Sequence, residues 1–153
     1  MAGPRKGQRL AAIDATETSW ADWLTRHPKT EVLTADTGHQ RPYGRDPYAD
    51  YVSNSELRFP VAARDDRYHP KEPVLVLGHE GRYKAYPFVE LAAHDTAFTD
   101  EFAGATYHIE FNYADQRALV SDASGKPVPT ATEYWFAWHA GHPGDTVYRA
   151  KPP

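Results

Sequence analysis

The sequence predicts an α+β fold, in which a small, mainly antiparallel sheet or partial barrel carries two or three short helices and a long ordered loop. Three observations support this fold class. The apolar β-type runs are short and are separated by glycine and proline turn signals. Two tryptophan-rich segments have the spacing of helix faces. One irregular stretch, residues 36–51, fits neither a helical nor a strand period.

Length and composition indicate one soluble domain. The 153 residues match the usual size of a single domain, 1–153, with residues 1–15 as an extended lead-in and 16–149 as the core. The net charge of -4 provides no basic footprint for nucleic acid. The absence of cysteine excludes disulfides, thiolate nucleophiles and Cys-type metal sites. No apolar run of about 18 residues and no signal peptide is visible, so the chain as written is expected to have no transmembrane segment and to be soluble and cytoplasmic, while the sequence leaves the native compartment unknown.

The first half of the chain predicts one helix, one strand and the long loop. Ser19 and Asp22 fit a capping box, in which a hydroxyl and a carboxylate accept hydrogen bonds from free backbone N–H groups at the helix start. Pro28 ends this helix, because the residue before a proline avoids the helical region. A short strand at 31–34 then leads into the loop 36–51, and the chain remains irregular from there to residue 72.

The second half of the chain predicts most of the sheet. Apolar and alternating segments on either side of Gly81 are typical of a β-hairpin, and the proline after them can begin a helix. In chain order, the predicted elements are strands at 73–77 and 82–86, a helix at 87–93, strands at 105–113 and 117–121, a helix from Thr132 to His139 and a strand at 146–148.

An internal repeat connects the two ends of the chain. The pattern Trp-x-x-Trp-x-x-x-His-Pro begins at Trp20 and again at Trp135, and a valine follows each copy at the same distance. Two tryptophans three positions apart share a helix face, and His-Pro ends the helix. We therefore expect two equivalent helix–turn–strand units, with Trp23 and Trp138 both buried.

The loop 36–51 is the predicted ligand site, because long irregular loops often contain functional residues. Its arginines can bind an anion through two parallel hydrogen bonds, and its tyrosines can line a pocket. The alternative is a structural loop in which its aspartates pair with its arginines. In either case we predict that Arg41, Tyr43 and Tyr48 face a shared concave surface, with Tyr86 and Phe111 as candidate partners. The candidate ligand-binding residues are Asp36, His39, Arg41, Tyr43, Arg45, Tyr48 and Tyr51.

The eight histidines do not have the spacing of a metal site. His139 and His142 lie close together at a predicted helix end, whereas the others are scattered, and no His-Glu-x-x-His motif is present. No serine lies in a nucleophile-elbow context, and no glycine-rich phosphate loop is present. We therefore predict no bound metal and no cofactor, and the sequence assigns no catalytic residue.

Several short motifs, taken together, match one known family. They are Trp20-x-x-Trp23-x-x-x-His27-Pro28, Thr37-Gly38-x-x-Arg41-x-Tyr43 with Pro47-Tyr48-x-x-Tyr51, Phe59-Pro60-Val61, Asp66-Arg67, Pro70-Lys71-Glu72, Lys84-Ala85-Tyr86-Pro87, and Trp135-Phe136-Ala137-Trp138 with His142-Pro143. In these motifs, which span nearly all of residues 3–148, the chain resembles the bacterial family called domain of unknown function 3179. The resemblance implies a similar fold but no particular activity. It also implies an association with export or with the cell envelope.

The chain departs from the family pattern at two points. Pro42 stands where the family typically has an acidic residue. Family members also usually contain a further N-terminal segment with a Cys-Pro-x-Cys-like motif. The chain therefore resembles a short variant or the C-terminal portion of the family domain.

Three functional hypotheses follow from the sequence. The leading one is a non-catalytic binding module for a small polar or anionic ligand. The second is a metal-dependent enzyme, or one that uses His with Asp or Glu side chains. The third is a structural interaction domain of the cell envelope. The sequence indicates no particular protein partner.

Overall fold

A computed structural model of the protein describes residues 3–8, 11, 13, 15–94 and 97–151. The described residues form a four-stranded sheet in the order β6-β1-β2-β7 and a three-stranded sheet in the order β3-β4-β5, and neither closes into a barrel. This confirms the predicted α+β class, with two sheets instead of one. The elements are α1 (Trp20–Arg26), α2 (Ala49–Ser53), β1 (Pro73–His79), β2 (Arg82–Pro87), α3 (Phe88–Leu91), β3 (Ala97–Phe102), β4 (Ala105–Asn112), β5 (Arg117–Asp122), β6 (Thr130–Tyr134), α4 (Trp135–Gly141) and β7 (Thr146–Val147).

Two tight turns of the same kind build two of the antiparallel hairpins. Glu80 and Gly81 connect β1 to β2 with φ angles of 50° and 78°, and Ala103 and Gly104 connect β3 to β4 with φ angles of 55° and 83°. Two consecutive residues with positive φ match the right-handed twist of the flanking strands, and a glycine at the second position reduces the steric cost. The β1–β2 hairpin predicted around Gly81 is confirmed.

The four-stranded sheet is covered on both faces. Because successive strand residues point to opposite faces, Leu75 and Leu77 face one side while Val74 and Val76 face the other. The first side packs against the three-stranded sheet and α3, and the second packs against α4. The residues of the first cluster are Leu75, Leu77, Tyr86, Phe88, Leu91, Phe102, Tyr107, Ile109, Phe111 and Val120, and those of the second are Val74, Val76, Ala85, Trp135 and Trp138.

A buried polar group links the two sheets. The Lys84 ammonium on β2 lies 2.5 Å from the Asp100 carboxylate on β3, and the Tyr86 hydroxyl donates to the same carboxylate oxygen at 2.8 Å. Burial, followed by the hydrogen bond to Asp100, raises the pKa of Tyr86, so the phenol remains a donor. Each charge in this group has a partner, as buried charges require.

Several sequence predictions of secondary structure are wrong. Residues 31–34 do not form a strand, since no neighbouring strand pairs with them in the described structure. The helix expected from Thr132 begins only at Trp135, because the preceding residues pair with the edge of β1 as β6. Strand β3 and helix α2 were not predicted. Only one of the two capping-box hydrogen bonds forms, the one from the Asp22 N–H to the Ser19 hydroxyl. The Asp22 carboxylate accepts from Thr18 and Arg26 instead of from the Ser19 N–H, which donates to the Asp115 carbonyl.

The sequence repeat is a structural repeat in its helix and cap but not in its strand, because a strand follows only the second helix and residues 31–34 form none, so the two units are not equivalent as predicted. Helices α1 and α4 each contain 7 residues and end at a histidine with nearly the same backbone angles, φ -130° and ψ 63° at His27 and φ -134° and ψ 56° at His142. Each of these histidines donates its backbone N–H to the carbonyl of the second tryptophan, Trp23 or Trp138. Trp138 is fully buried as predicted, but Trp23 is only partly buried. None of the described helices is long and apolar enough to cross a membrane.

Candidate functional site

The predicted loop residues lie on the surface. Tyr43 and Tyr48 are 54% and 56% exposed, so the expectation that they face the sheet near Tyr86 and Phe111 is wrong. The loop instead closes on itself, because Arg45 N–H donates to the Pro42 carbonyl and the hydroxyls of Thr37 and Tyr43 lie 2.8 Å apart. Of the seven candidate ligand-binding residues, six are exposed, and Tyr51 is partly buried.

The structure gives these seven residues different surroundings. Tyr48 and Tyr51 share one cation, since the Arg58 guanidinium lies 5.5 Å and 4.7 Å from their ring centroids. The buried Lys71 ammonium lies 3.9 Å from the Tyr51 ring and donates to carbonyls of residues 54–56. The end of the loop is therefore fixed to the segment that follows it. In contrast, the side chains of Asp36, His39, Arg41 and Arg45 make no hydrogen bond or ion pair with described residues.

The residues that come next in the chain line a charged cavity. It has a volume of about 510 Å³ and lies between residues 55–70 and Phe136. Its lining combines apolar side chains with three basic and two acidic ones, a composition typical of sites for small polar molecules. The charged and basic lining residues are Arg64, Asp65, Asp66, Arg67 and His69.

Among these charged groups, Arg67 contacts both a carboxylate and an aromatic ring. Its Nε donates to both carboxylate oxygens of Asp65, at 2.9 Å and 2.8 Å, and its guanidinium carbon lies 5.1 Å from the Trp135 ring centroid. The Trp135 indole N–H donates to the Asp65 backbone carbonyl at 2.9 Å. The hydrogen bond from Arg67 also holds the pKa of Asp65 below its ordinary value. The terminal guanidinium nitrogens of Arg67 have no hydrogen-bond partner among the described residues.

Trp135 is surrounded by polar groups. The His139 ring stacks on it at 5.6 Å, and the His139 Nε2 lies 4.0 Å from an Asp65 carboxylate oxygen. Tyr68 meets the same indole edge-on and donates its hydroxyl to Glu90 at 2.6 Å. Burial, followed by this hydrogen bond, raises the pKa of Tyr68, so the phenol stays protonated. The His139 Nδ1 is buried and has no partner in the described part of the chain.

A second, larger cavity of about 610 Å³ lies between the start of α1, the β4–β5 turn and the end of β6. Its walls are mainly apolar, with Phe88 and Tyr134 among them. Two polar groups at its rim pair with each other, since the Ser19 hydroxyl donates to the Asp115 carboxylate at 2.7 Å. The cavity at Arg67 is therefore the better candidate for a polar ligand, because a charged donor there is left without a protein partner.

The sequence did not identify this site. Residues 65–70 belong to the stretch that the sequence predicts only as irregular, although Asp66-Arg67 is part of the family pattern and Trp135 is part of the repeat. Their juxtaposition depends on how α4 packs on the four-stranded sheet, which the linear spacing does not show. Among the residues that the structure describes, no group of three or more His, Asp or Glu side chains is arranged to hold a metal ion.

The fold and this cavity define an α+β protein with two packed sheets and a charged surface pocket. The family model described as Protein of unknown function (DUF3179) matches residues 1–126, which is most of the chain, and the chain belongs to that family. No curated protein and no solved structure gave a significant match. Phe136, which lines the cavity, and Trp135, which contacts Arg67, lie beyond the matched residues.

Proposed function

We propose that the protein is a non-catalytic binding module for a small polar or anionic ligand, and that the ligand binds in the cavity at Arg67. One observation supports this proposal above all. The Arg67 guanidinium is held by Asp65 through Nε and by Trp135 through its face, while its terminal nitrogens remain without a partner among the described residues.

This arrangement favours binding of a carboxylate or phosphate group. The planar guanidinium can present two parallel donors to such an anion. Asp65 and Trp135 fix its orientation in advance, so less side-chain entropy is lost when a ligand binds. Arg64 and His69 add further basic groups at the cavity wall, and a volume of about 510 Å³ suits a small molecule.

The loop 36–51 remains a second candidate surface for the same ligand class. Arg41 and Arg45 are exposed and form no ion pair with described residues, so an anion can approach them from solvent. The loop lacks the fixed geometry of the Arg67 site, because no described carboxylate or aromatic ring holds either guanidinium. We therefore place the loop second.

An anion titration tests both surfaces. Inorganic phosphate and succinate are the probes, and tryptophan fluorescence is the readout, because Trp135 contacts Arg67. We expect a saturable change in the wild type that Arg67→Ala abolishes and Arg67→Lys weakens at least about tenfold, since lysine offers no bidentate fork. Arg149→Ala is the matched control, because Arg149 also lies over an aromatic ring, at 4.9 Å from Tyr68, but does not line the cavity.

The outcomes separate the two surfaces. Binding that Arg41→Ala removes and Arg67→Ala leaves intact would locate the site in the loop and would contradict the cavity proposal. Absence of a saturable response to both anions in the wild type would contradict anion binding at either surface. Circular dichroism of each variant establishes that it is folded before binding is compared.

A further inference from the structure

The first copy of the repeat exposes the surface that the second copy buries. We call residues 20–34 the first unit and residues 135–149 the second unit. Trp20 is 51% exposed whereas its counterpart Trp135 is 0% exposed. Farther along, Val32 and Leu33 are 69% and 96% exposed, although their counterparts in the second unit are partly buried. The first unit therefore presents the same kind of apolar surface without a described partner.

The second unit shows what covers such a surface. Its two tryptophans pack against the face of the β1–β2 hairpin that carries Val74, Val76 and Ala85. Its strand then adds to the edge of β2 in parallel, with Ala85 opposite Val147 and with the Tyr148 N–H donating to the Ala85 carbonyl at 2.8 Å. Helix and strand thus bind one hairpin together, the helix on its face and the strand on its edge.

The first unit is held in a position to do the same. The Ser19 N–H donates to the Asp115 carbonyl and Arg117 lies 3.5 Å from Asp22, so the start of α1 is fixed to the β4–β5 turn. Residues 31–34 form no backbone hydrogen bond with described residues, and their donors and acceptors are available for pairing. Because the helix and its cap are already formed, binding needs little further ordering.

We propose that the first unit is a docking element for a β-hairpin of the β1–β2 type presented by another protein chain. Such a hairpin carries a Val-x-Val face with a small residue on its second strand, and it has a free edge on that strand. The hairpin of a second folded copy does not meet this requirement, because β7 already occupies the edge of β2. The mode is β-strand addition combined with an apolar helix face.

The test uses a synthetic peptide of residues 73–87, cyclised head to tail so that it retains the hairpin. Its binding is measured by isothermal titration calorimetry. We expect saturable one-to-one binding to the wild type, and binding at least about tenfold weaker to Val32→Asp, because a charged side chain would enter the apolar contact. Val89→Asp is the matched control, since Val89 is also exposed, at 55%, but lies on α3 outside the first unit.

A second measurement identifies where the peptide binds. The indole N–H resonances of Trp20 and Trp23 should shift when the peptide is added, while those of Trp135 and Trp138 should not. No binding, or binding that Val32→Asp leaves unchanged, would overturn the proposal. Shifts confined to Trp135 and Trp138 would also overturn it, because the peptide would then be replacing the chain's own hairpin.

The last measurement is the oligomeric state of the free protein by analytical ultracentrifugation. The proposal expects a monomer, since no hairpin of this type with a free edge is present in the described part of the chain. A dimer that Val32→Asp dissociates would identify a second copy as the occupant and would overturn the proposal. These results do not depend on the anion titration, because the residues, the probe and the readout all differ.

Discussion

The two units share a helix and its cap, but they differ in surroundings, and a strand follows only in the second unit. Both form a 7-residue helix that ends at a histidine with closely similar backbone angles. In the second unit both tryptophans are 0% exposed, whereas Trp20 in the first is 51% exposed. The comparison separates two effects of sequence. Residues within the unit determine the helix and its cap, while burial requires a hairpin contributed from elsewhere in the fold.

The hydrogen bonding of the second tryptophan in each unit favours the exposed unit instead. In the first unit the Trp23 indole N–H donates to the Thr30 hydroxyl at 2.9 Å. In the second unit Asp145 occupies the position of Thr30, and the buried Trp138 indole N–H has no acceptor in the described structure. At the second tryptophan, the exposed unit is therefore the better satisfied in hydrogen bonding, and Trp138 depends on apolar contacts within its buried cluster.

The largest expected effect on stability comes from a substitution in the buried unit. Trp135→Ala should lower the free energy of unfolding by about 3–5 kcal/mol, because it removes a buried aromatic side chain and leaves a cavity. Trp20→Ala, at the equivalent position, should cost less than about 1 kcal/mol, since that ring is half exposed. Urea denaturation measures both. Similar losses would show that the first unit is buried to the same extent as the second.

A smaller effect is expected when the indole hydrogen bond is removed from the first unit or introduced into the second. Thr30→Val should destabilise the protein by about 1 kcal/mol, because the Trp23 indole loses its acceptor. Asp145→Thr should stabilise it by a similar amount, because the new hydroxyl can accept from the buried Trp138 indole. Thermal melting compares both variants with wild type. If Asp145→Thr were destabilising, the two turns would not be equivalent in side-chain geometry.

The smallest expected effect is on the pH dependence of stability. Glu90 joins α3 to the end of the second unit by accepting hydrogen bonds from Tyr68, Arg149 and the Ala150 N–H. Burial alone would raise the pKa of Glu90, but these three donors together lower it below its ordinary value of 4.5. The unfolded chain therefore takes up a proton first as the pH falls. This contribution to stability is complete above about pH 4.5 and is lost as the pH falls through the folded pKa.

Glu90→Gln should remove that part of the acid sensitivity, so its stability should fall less steeply than that of the wild type between about pH 5 and pH 3. Urea denaturation across this range is the measurement. Glu101→Gln is a matched control, because Glu101 is exposed and hydrogen-bonds only to Thr106 among the described residues. Parallel pH profiles for the wild type and Glu90→Gln would contradict the assigned role of Glu90.

Local signals explain which parts of the fold the sequence could predict. The glycine at position 81, Pro28 and the repeated Trp-x-x-Trp pattern act over a few residues, and the hairpin and the two helices that they predicted are present. The segments 31–34 and 130–134 both contain β-branched residues, yet only the second forms a strand. The difference is the free edge of β1, which is a tertiary partner that neither segment reveals.

The candidate site shows the same limit. The sequence indicated an arginine beside aromatic rings as an anion site and placed it at Arg41. The structure contains that combination at Arg67 over Trp135, whose partners are far apart in sequence. Arg41 had an aromatic neighbour in the chain but none within reach in the described fold. Proximity along the chain was therefore a poor guide to proximity in space.

The most direct test of the account is amide hydrogen exchange at two equivalent positions. The Tyr148 N–H in the second unit donates to the Ala85 carbonyl, whereas the Leu33 N–H in the first unit has no described acceptor. We expect Tyr148 to exchange roughly a hundredfold or more below its intrinsic rate, and Leu33 to exchange near its intrinsic rate. Equal protection at both positions would show that the first unit is already paired in the free protein, and would contradict the account.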